Sequence, residues 1–209
     1  MPRTKHYLVM PLMALTLCLG GCEILYFLGG KGSQAALYTI PKDKRVLVLV
    51  DVHESVTAPP AFAANLGEKI STHLYRNNAA DRLVSQDRVV SLQQSDPAAY
   101  KKMGVADIAK ATDADIVMVV YVTQLSIPVT TDGTVASGDA QIQVKIIDRN
   151  GERLWPGDVV GNKIDAHVDS AFTSERDVEG IVKELTDILS VRTGRMFHPY
   201  NLEDKTMLR

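Results

Sequence analysis

The sequence predicts an α/β domain, with α+β character in its C-terminal half, built on a single mixed sheet. Three observations carry that prediction. Two short apolar runs, "KRVLVLVDV" (44–52) and "IVMVVYV" (116–122), have the length and β-branched content of strands buried on both faces. Helix-period stripes lie between them, which calls for crossovers and a sheet covered by helices. After residue 137 the pattern turns to alternation around an Asn-Gly turn, and one long amphipathic stretch closes the domain. The expected order is β-α-β-α-β, then an antiparallel hairpin and a C-terminal helix, in two or three layers.

Each element has a local reason. The first strand is bounded by charge and reads as central in its sheet. In "ESVTAPPAFAANLGEKISTHLYRN", Phe62, Leu66, Ile70 and Leu74 recur every fourth residue, flanked by Ala63 and His73, and Pro59 and Pro60 stand where a helix start tolerates them. "DRLVSQDRVVSL" reads as a second, more exposed strand. "SDPAAYKKM" predicts a short helix capped by Ser95 or Asp96, with Pro97 in its first turn. Val105, Ile108, Ala109 and Thr112 form the next helical face, followed by a turn at residues 113–115. In "DAQIQVKIIDRNGERLW", Ile142, Val144 and Ile146 face inward and Gln141, Gln143 and Lys145 outward, while Asn150-Gly151 supplies φ > 0 for a tight hairpin. In the last helix Val178, Ile181, Val182, Leu185, Ile188 and Leu189 face inward, Ser174 is the expected N-cap, and Gly194 lies near the end.

The N-terminus has another character. Arg3, Lys5 and His6 precede the apolar run "YLVMPLMALTLCLGG", the layout of a secretory signal. A spanning helix needs ~20 predominantly apolar residues. Tyr7 to Cys22 is 16 residues, and extension to Leu28 would bury Glu23 in the bilayer. The run ends in "LGGC", Leu19 to Cys22, which resembles the lipobox of bacterial lipoproteins: an aliphatic residue, two small ones, then the cysteine that is modified. The resemblance implies cleavage between Gly21 and Cys22 and lipid on the Cys22 thiol. Cys18 would leave with the signal, so the mature chain would hold no disulfide. Glu23, not Asp, follows the modified cysteine, which implies the outer membrane, facing the periplasm. Without Arg3 and Lys5 the chain holds 21 basic against 25 acidic residues. There is no dense basic run, so nucleic acid is not expected as a partner. "ILYFLGG" after the anchor suits either a lipid interface or a plain tether.

At "ADIAKATDADIVMVVYV" (106–122) a helix runs straight into a hydrophobic strand. This resembles the α/β domain of envelope proteins such as the TolB N-terminal domain, the curli-secretion lipoprotein CsgG and the peptidoglycan-synthase activator LpoB. The similarity in order and spacing spans residues 44–197. It implies a non-enzymatic, envelope-facing interaction domain, and no binding residue carries over because no short motif is shared. A curli-type pore needs strands of ~9–11 residues with a lipid-facing band. "SIPVTTDGTVASG" (126–138) is short and polar there, which ranks a tethered domain ahead of a pore.

Chemistry-bearing residues are few. Asp51, His53 and Glu54 follow a central strand, where ligand sites of α/β sheets often lie. Asp51 and His53 share a side and Glu54 does not, and His73, His167 and His198 stand at no metal-binding spacing. Ser71 and Ser126 lie in no G-x-S-x-G elbow, "FLGGKGS" is not a phosphate loop, and Asp113 with Asp115 reads as a turn rather than a calcium loop. Trp155 is expected to cover a core or an edge.

The expected organisation is a signal peptide at 1–21, a lipid-anchored tether at 22–43, an α/β envelope domain at 44–198 and a tail at 199–209. The expected role is non-enzymatic protein interaction, with no catalytic residue, metal or cofactor. The partners are the membrane, through Cys22, and an envelope protein, and an oligomer is compatible with this. The rival expectations are a subunit of a secretion, transport or peptidoglycan-synthesis assembly, and a metal-binding enzyme using Asp51 and His53.

Overall fold

The computed structural model describes residues 32–128, 137–158, 160–169 and 177–201. The signal peptide with Gly21, Cys22 and the tether up to residue 31, the hairpin tip, Ser174 and the tail beyond 201 lie outside the described residues. The chain divides into two units. The smaller holds an antiparallel pair, β1 (Ser33–Gln34) and β8 (Tyr200–Asn201). The larger runs from Ala36 to Pro199.

In the larger unit the order is β2 (Arg45–Val52), α1 (Phe62–Arg76), β3 (Arg82–Leu83), α2 (Gln86–Ser95), α3 (Pro97–Tyr100), α4 (Val105–Ala111), β4 (Ile116–Ser126), β5 (Ser137–Asp148), β6 (Arg153–Trp155), β7 (Asn162–Asp169) and α5 (Val178–Arg195). One mixed sheet runs β3-β2-β4-β5-β6, and β7 also pairs with β5. β2 is parallel to β3 and β4, and the pairings of β5 are antiparallel. This is the mixed α/β fold that the alternating patterns predict.

Strand alternation divides the core into two layers. Val46 and Val48 of β2, Met118, Val120 and Val122 of β4, Ile142 and Val144 of β5 and Ile164, Ala166 and Val168 of β7 are buried on the side of α1 and α5. Phe62, Leu66, Ile70 and Leu74 from α1 and Ile181, Leu185 and Leu189 from α5 close that layer. On the other face Leu47, Leu49 and Val117 pack with Val84, Val89, Ile108 and Ala109. Each fully buried Leu or Ile contributes ~1.5–3 kcal/mol of transfer free energy, so these two faces hold the fold together.

Five local expectations are corrected. The segment "DRLVSQDRVVSL" is mostly helix, with only Arg82–Leu83 in a strand. Ser85 caps α2 by accepting the Asp87 N–H (3.2 Å), and the Gln86 side-chain amide donates to the Val48 carbonyl (2.7 Å) where a longer β3 would have done so. The Val89-Val90 doublet thus buries one side chain in a helix rather than alternating in a strand. At the β5–β6 connection only Gly151 has positive φ (92°), and Asn150 does not. The Asp148 carboxylate accepts the N–H groups of Asn150 (2.9 Å) and Glu152 (2.7 Å), holding a wider loop beside a register shift at Ile146/Ile147. α5 begins at Val178 under an Asp177 cap on the Gly180 N–H (2.7 Å), not at Ser174. Val178 is exposed and Val182 half-buried, because the first turn of α5 lies beside Pro59 and Pro60 at the rim of an open groove. β4 and β5, at 11 and 12 residues with a bulge at Thr123, also outrun the short pair expected from the sequence.

Candidate functional site

The end of β2 holds the residues the sequence singled out. Asp51 lies opposite Tyr121 of β4. Its carboxyl pKa is raised above the ordinary aspartate value, chiefly by desolvation, while the Val52 N–H and the nearby His53 pull it down. Tyr100 from α3 is raised by burial and by the Asp51 charge, against a lowering hydrogen bond from Gln93. The His53 ring stands edge-on to Tyr121 (centroids 5.8 Å, 81°), so the strand brings Asp51 and His53 to one side as alternation predicts. Glu54 lies in the exposed turn beyond.

What that corner can do is set by the tautomer of His53. The Ser55 backbone N–H donates to Nδ1 (3.2 Å), and the Ser55 Oγ is 2.7 Å from the same atom. The neutral ring therefore carries its proton on Nε2. A histidine that ligates through Nε2 has the reverse arrangement, with Nδ1–H donating to a carbonyl or carboxylate. His53 as folded offers a donor, not a lone pair. Among the described residues no group of three or more His, Cys, Asp or Glu is gathered as a metal would need.

Two histidines distant in sequence do meet. His73 of α1 and His198, which follows α5, face each other with Nε2 atoms 3.0 Å apart. The Nδ1–H of His198 donates to the Pro199 carbonyl (2.8 Å), leaving its Nε2 to accept from the Nε2–H of His73. Desolvation first, then the charges of His198 and Arg195, lowers the pKa of His73 to about 4. Gly194 makes the approach feasible: a Cβ there would lie 2.0 Å from His73 Cδ2. Residues 125 apart leave no local signal of this pair. The only hint was His73 flanking the apolar stripe of α1.

Asp113 and Asp115 form a structural clasp at the opposite end of the parallel strands. Asp115 accepts from the Arg45 backbone N–H (2.8 Å) and from its Nε (3.2 Å), while Asp113, at φ 60°, engages Arg45 Nη1 and Arg149 Nη1. The Arg45 hydrogen bonds hold the Asp115 carboxyl at about 2. Because that value lies below the unfolded one, the contribution is full above about pH 4 and is lost as the pH falls toward about 2. The difference in urea midpoint between wild type and Asp115→Asn is expected to be largest at neutral pH and to close across that acid window. A gap that stays constant with pH would contradict a charge-based clasp.

Trp155 is half-buried at the edge, with its ring against Phe197 (5.6 Å) and Tyr38 (6.2 Å). It covers the end of the sheet, as expected.

No family model matches the chain, and no curated protein matches it in sequence. Solved structures of similar arrangement include the PelC dodecamer from Paraburkholderia phytofirmans, at 12% identity over 80% of this chain and 97% of that one, TM-score 0.46. Lipoprotein GNA1162 from Neisseria meningitidis matches at 12% identity over 74% of this chain and 99% of that one, TM-score 0.46. The LpoB C-terminal domain from Salmonella enterica matches at 17% identity over 62% and 85%, TM-score 0.38. Lipoproteins are among the chains this one is similar to. At these scores the likeness concerns the course of the chain and carries no role across.

Proposed function

We propose that this protein is a bacterial envelope lipoprotein, tethered through Cys22, that acts by protein contact and not by catalysis. The observation that carries this reading is "LGGC" at the end of a basic, then apolar, N-terminal segment, where small residues precede the thiol that takes the lipid. No helix among the described residues is long and apolar enough to cross a membrane. Glu23 after the modified cysteine favours the periplasmic face of the outer membrane.

The test is metabolic labelling with an alkyne fatty acid in a host that processes lipoproteins. The wild-type chain is expected to take up the label and sediment with membranes. Cys22→Ser is expected to lose all label and to stay uncleaved or move to the soluble fraction. A Cys22→Ser chain that still labels would rule the anchor out.

A further inference from the structure

The larger unit begins at Ala36, and the next two residues dock just past α5: the Leu37 and Tyr38 N–H groups both donate to the Met196 carbonyl (2.7 and 3.3 Å). The end strand β6 and the loop that follows it meet them there. Trp155 of β6 lies against the Tyr38 and Phe197 rings, and the Asn162 side-chain amide, just past the loop, donates to the Met196 sulfur (2.8 Å). The loop satisfies its own polar groups. The Asp158 carboxylate accepts the Gly161 N–H (2.8 Å), and the Asp158 carbonyl accepts from the Arg153 guanidinium. What faces outward is apolar. Of the five large hydrophobic side chains exposed among the described residues, three are here: Leu37 at 53%, Val160 at 58% and Leu154 at 42%. Tyr38, Trp155 and Pro156 are half-buried between them.

We propose that this edge is a membrane-contact surface, which settles into the headgroup layer of the bilayer that Cys22 ties the chain to. It deepens the envelope reading above and rests on it for the presence of a bilayer. Leu37 is, of the exposed apolar side chains, the nearest to Cys22 along the chain, so the surface lies where the anchored segment joins the domain. Trp and Tyr favour a membrane interface, because each has an apolar ring and a polar group that stays at headgroup level.

Size and shape choose a lipid surface over a protein. A few partly exposed side chains fall short of the ~800 Å² that each partner gives to a stable protein interface, whereas a bilayer accepts a shallow apolar insertion of ~5–10 Å. By strand alternation Leu154 stands on the opposite side of β6 from Trp155, so apolar groups line both sides of one edge. An edge of that kind enters a soft layer, while a protein partner would have to wrap around it. Charge neither drives the contact nor opposes it: Glu152 and Asp158 are offset by Arg153 and Lys163. The binding is therefore expected to vary little with salt.

Trp155 is the one tryptophan of the chain, so its fluorescence reports on this edge alone. The full-length protein, purified in mild detergent from a host that processes lipoproteins, is reconstituted into vesicles of phosphatidylethanolamine and phosphatidylglycerol. Half of the samples carry bromine on the acyl chains near the headgroup. Brominated lipid is expected to quench Trp155 about twofold, since the ring lies within the ~5–10 Å boundary layer. Leu37→Asp and Val160→Asp, at exposed positions, are expected to lose most of that quenching while the chain still floats with the vesicles and keeps the wild-type urea midpoint. Cys22→Ser separates this contact from the anchor. Quenching that is equal in Cys22→Ser and wild type would support the contact and count against the anchor. A wild-type chain that floats without quenching would overturn the contact and leave the anchor standing, and one that neither floats nor is quenched would overturn both. Quenching unchanged by Leu37→Asp and Val160→Asp, or a Trp155 shielded from bromine in a dimer seen by sedimentation velocity, would also overturn the proposal.

Discussion

Replacing Gly194 by alanine is expected to destabilise the fold by about 2–3 kcal/mol, a large loss for one methyl group. The added Cβ would sit 2.0 Å from His73 Cδ2 and 2.7 Å from Cγ, inside van der Waals contact. The His73 Nε2 is against His198, and its helix is fixed to the sheet by Ile70 and Leu74, both wholly buried. Relief therefore requires the ring to swing toward the groove and break its contact with His198, or α1 and α5 to separate. Urea denaturation checks this, with Gly157→Ala as control, because nothing lies within 4 Å of a Cβ at that site. Combining Gly194→Ala with His73→Ala should recover part of the loss by opening space. A Gly194→Ala chain as stable as wild type would mean that the two helices do not meet this closely.

Mild acid is expected to weaken the same junction. The His73 pKa lies at about 4 in the folded chain, against an unfolded value near 6.5, so below about pH 6.5 the unfolded state binds a proton that the folded state refuses. Stability falls as the pH drops through that window and levels off near pH 4. At 1.36 kcal/mol per pKa unit the ceiling is ~3 kcal/mol, and since the ring is partly open to water a loss of about 1–2 kcal/mol is expected. The positive charge of Arg195 adds to desolvation in disfavouring an added proton on this ring. Chemical denaturation at several pH values between 7 and 4 would show the decline, and His73→Gln should flatten it. An equal decline in His73→Gln would place the sensitivity elsewhere. The Asp115 clasp acts only at lower pH, so the two effects separate on the pH axis.

Two apolar runs, an amphipathic helix with a four-residue stripe and an alternating strand were enough to foresee a mixed sheet with helices on it. The reason is physical: burial of one face imposes a period of two or 3.6 on the residues themselves, and that period is written locally. The reading faltered where a side chain replaced a backbone partner. Gln86 ended β3 early by meeting the Val48 carbonyl, and Asp148 held a loop that Asn150-Gly151 alone would have made tighter. Neither substitution of partners leaves a periodic trace.

The candidate corner shows the same division. That Asp51 and His53 share a side follows from strand alternation, but the direction of the His53 hydrogen bond, which decides between donor and ligand, depends on how the chain turns at Ser55. The His73–His198 contact, the clearance at Gly194 and the open edge of β7 are long-range facts. They exist only once helices and strands distant in sequence are docked.

By itself, then, the sequence determined the class of fold, and it alone carries the proposed signal segment and lipid on Cys22, because each depends on residues adjacent along the chain. Only the tertiary structure decided which histidines meet and which strand lies at the edge of the sheet. Those depend on which surfaces come together when the core closes, and burial, unlike periodicity, is a property of the whole chain.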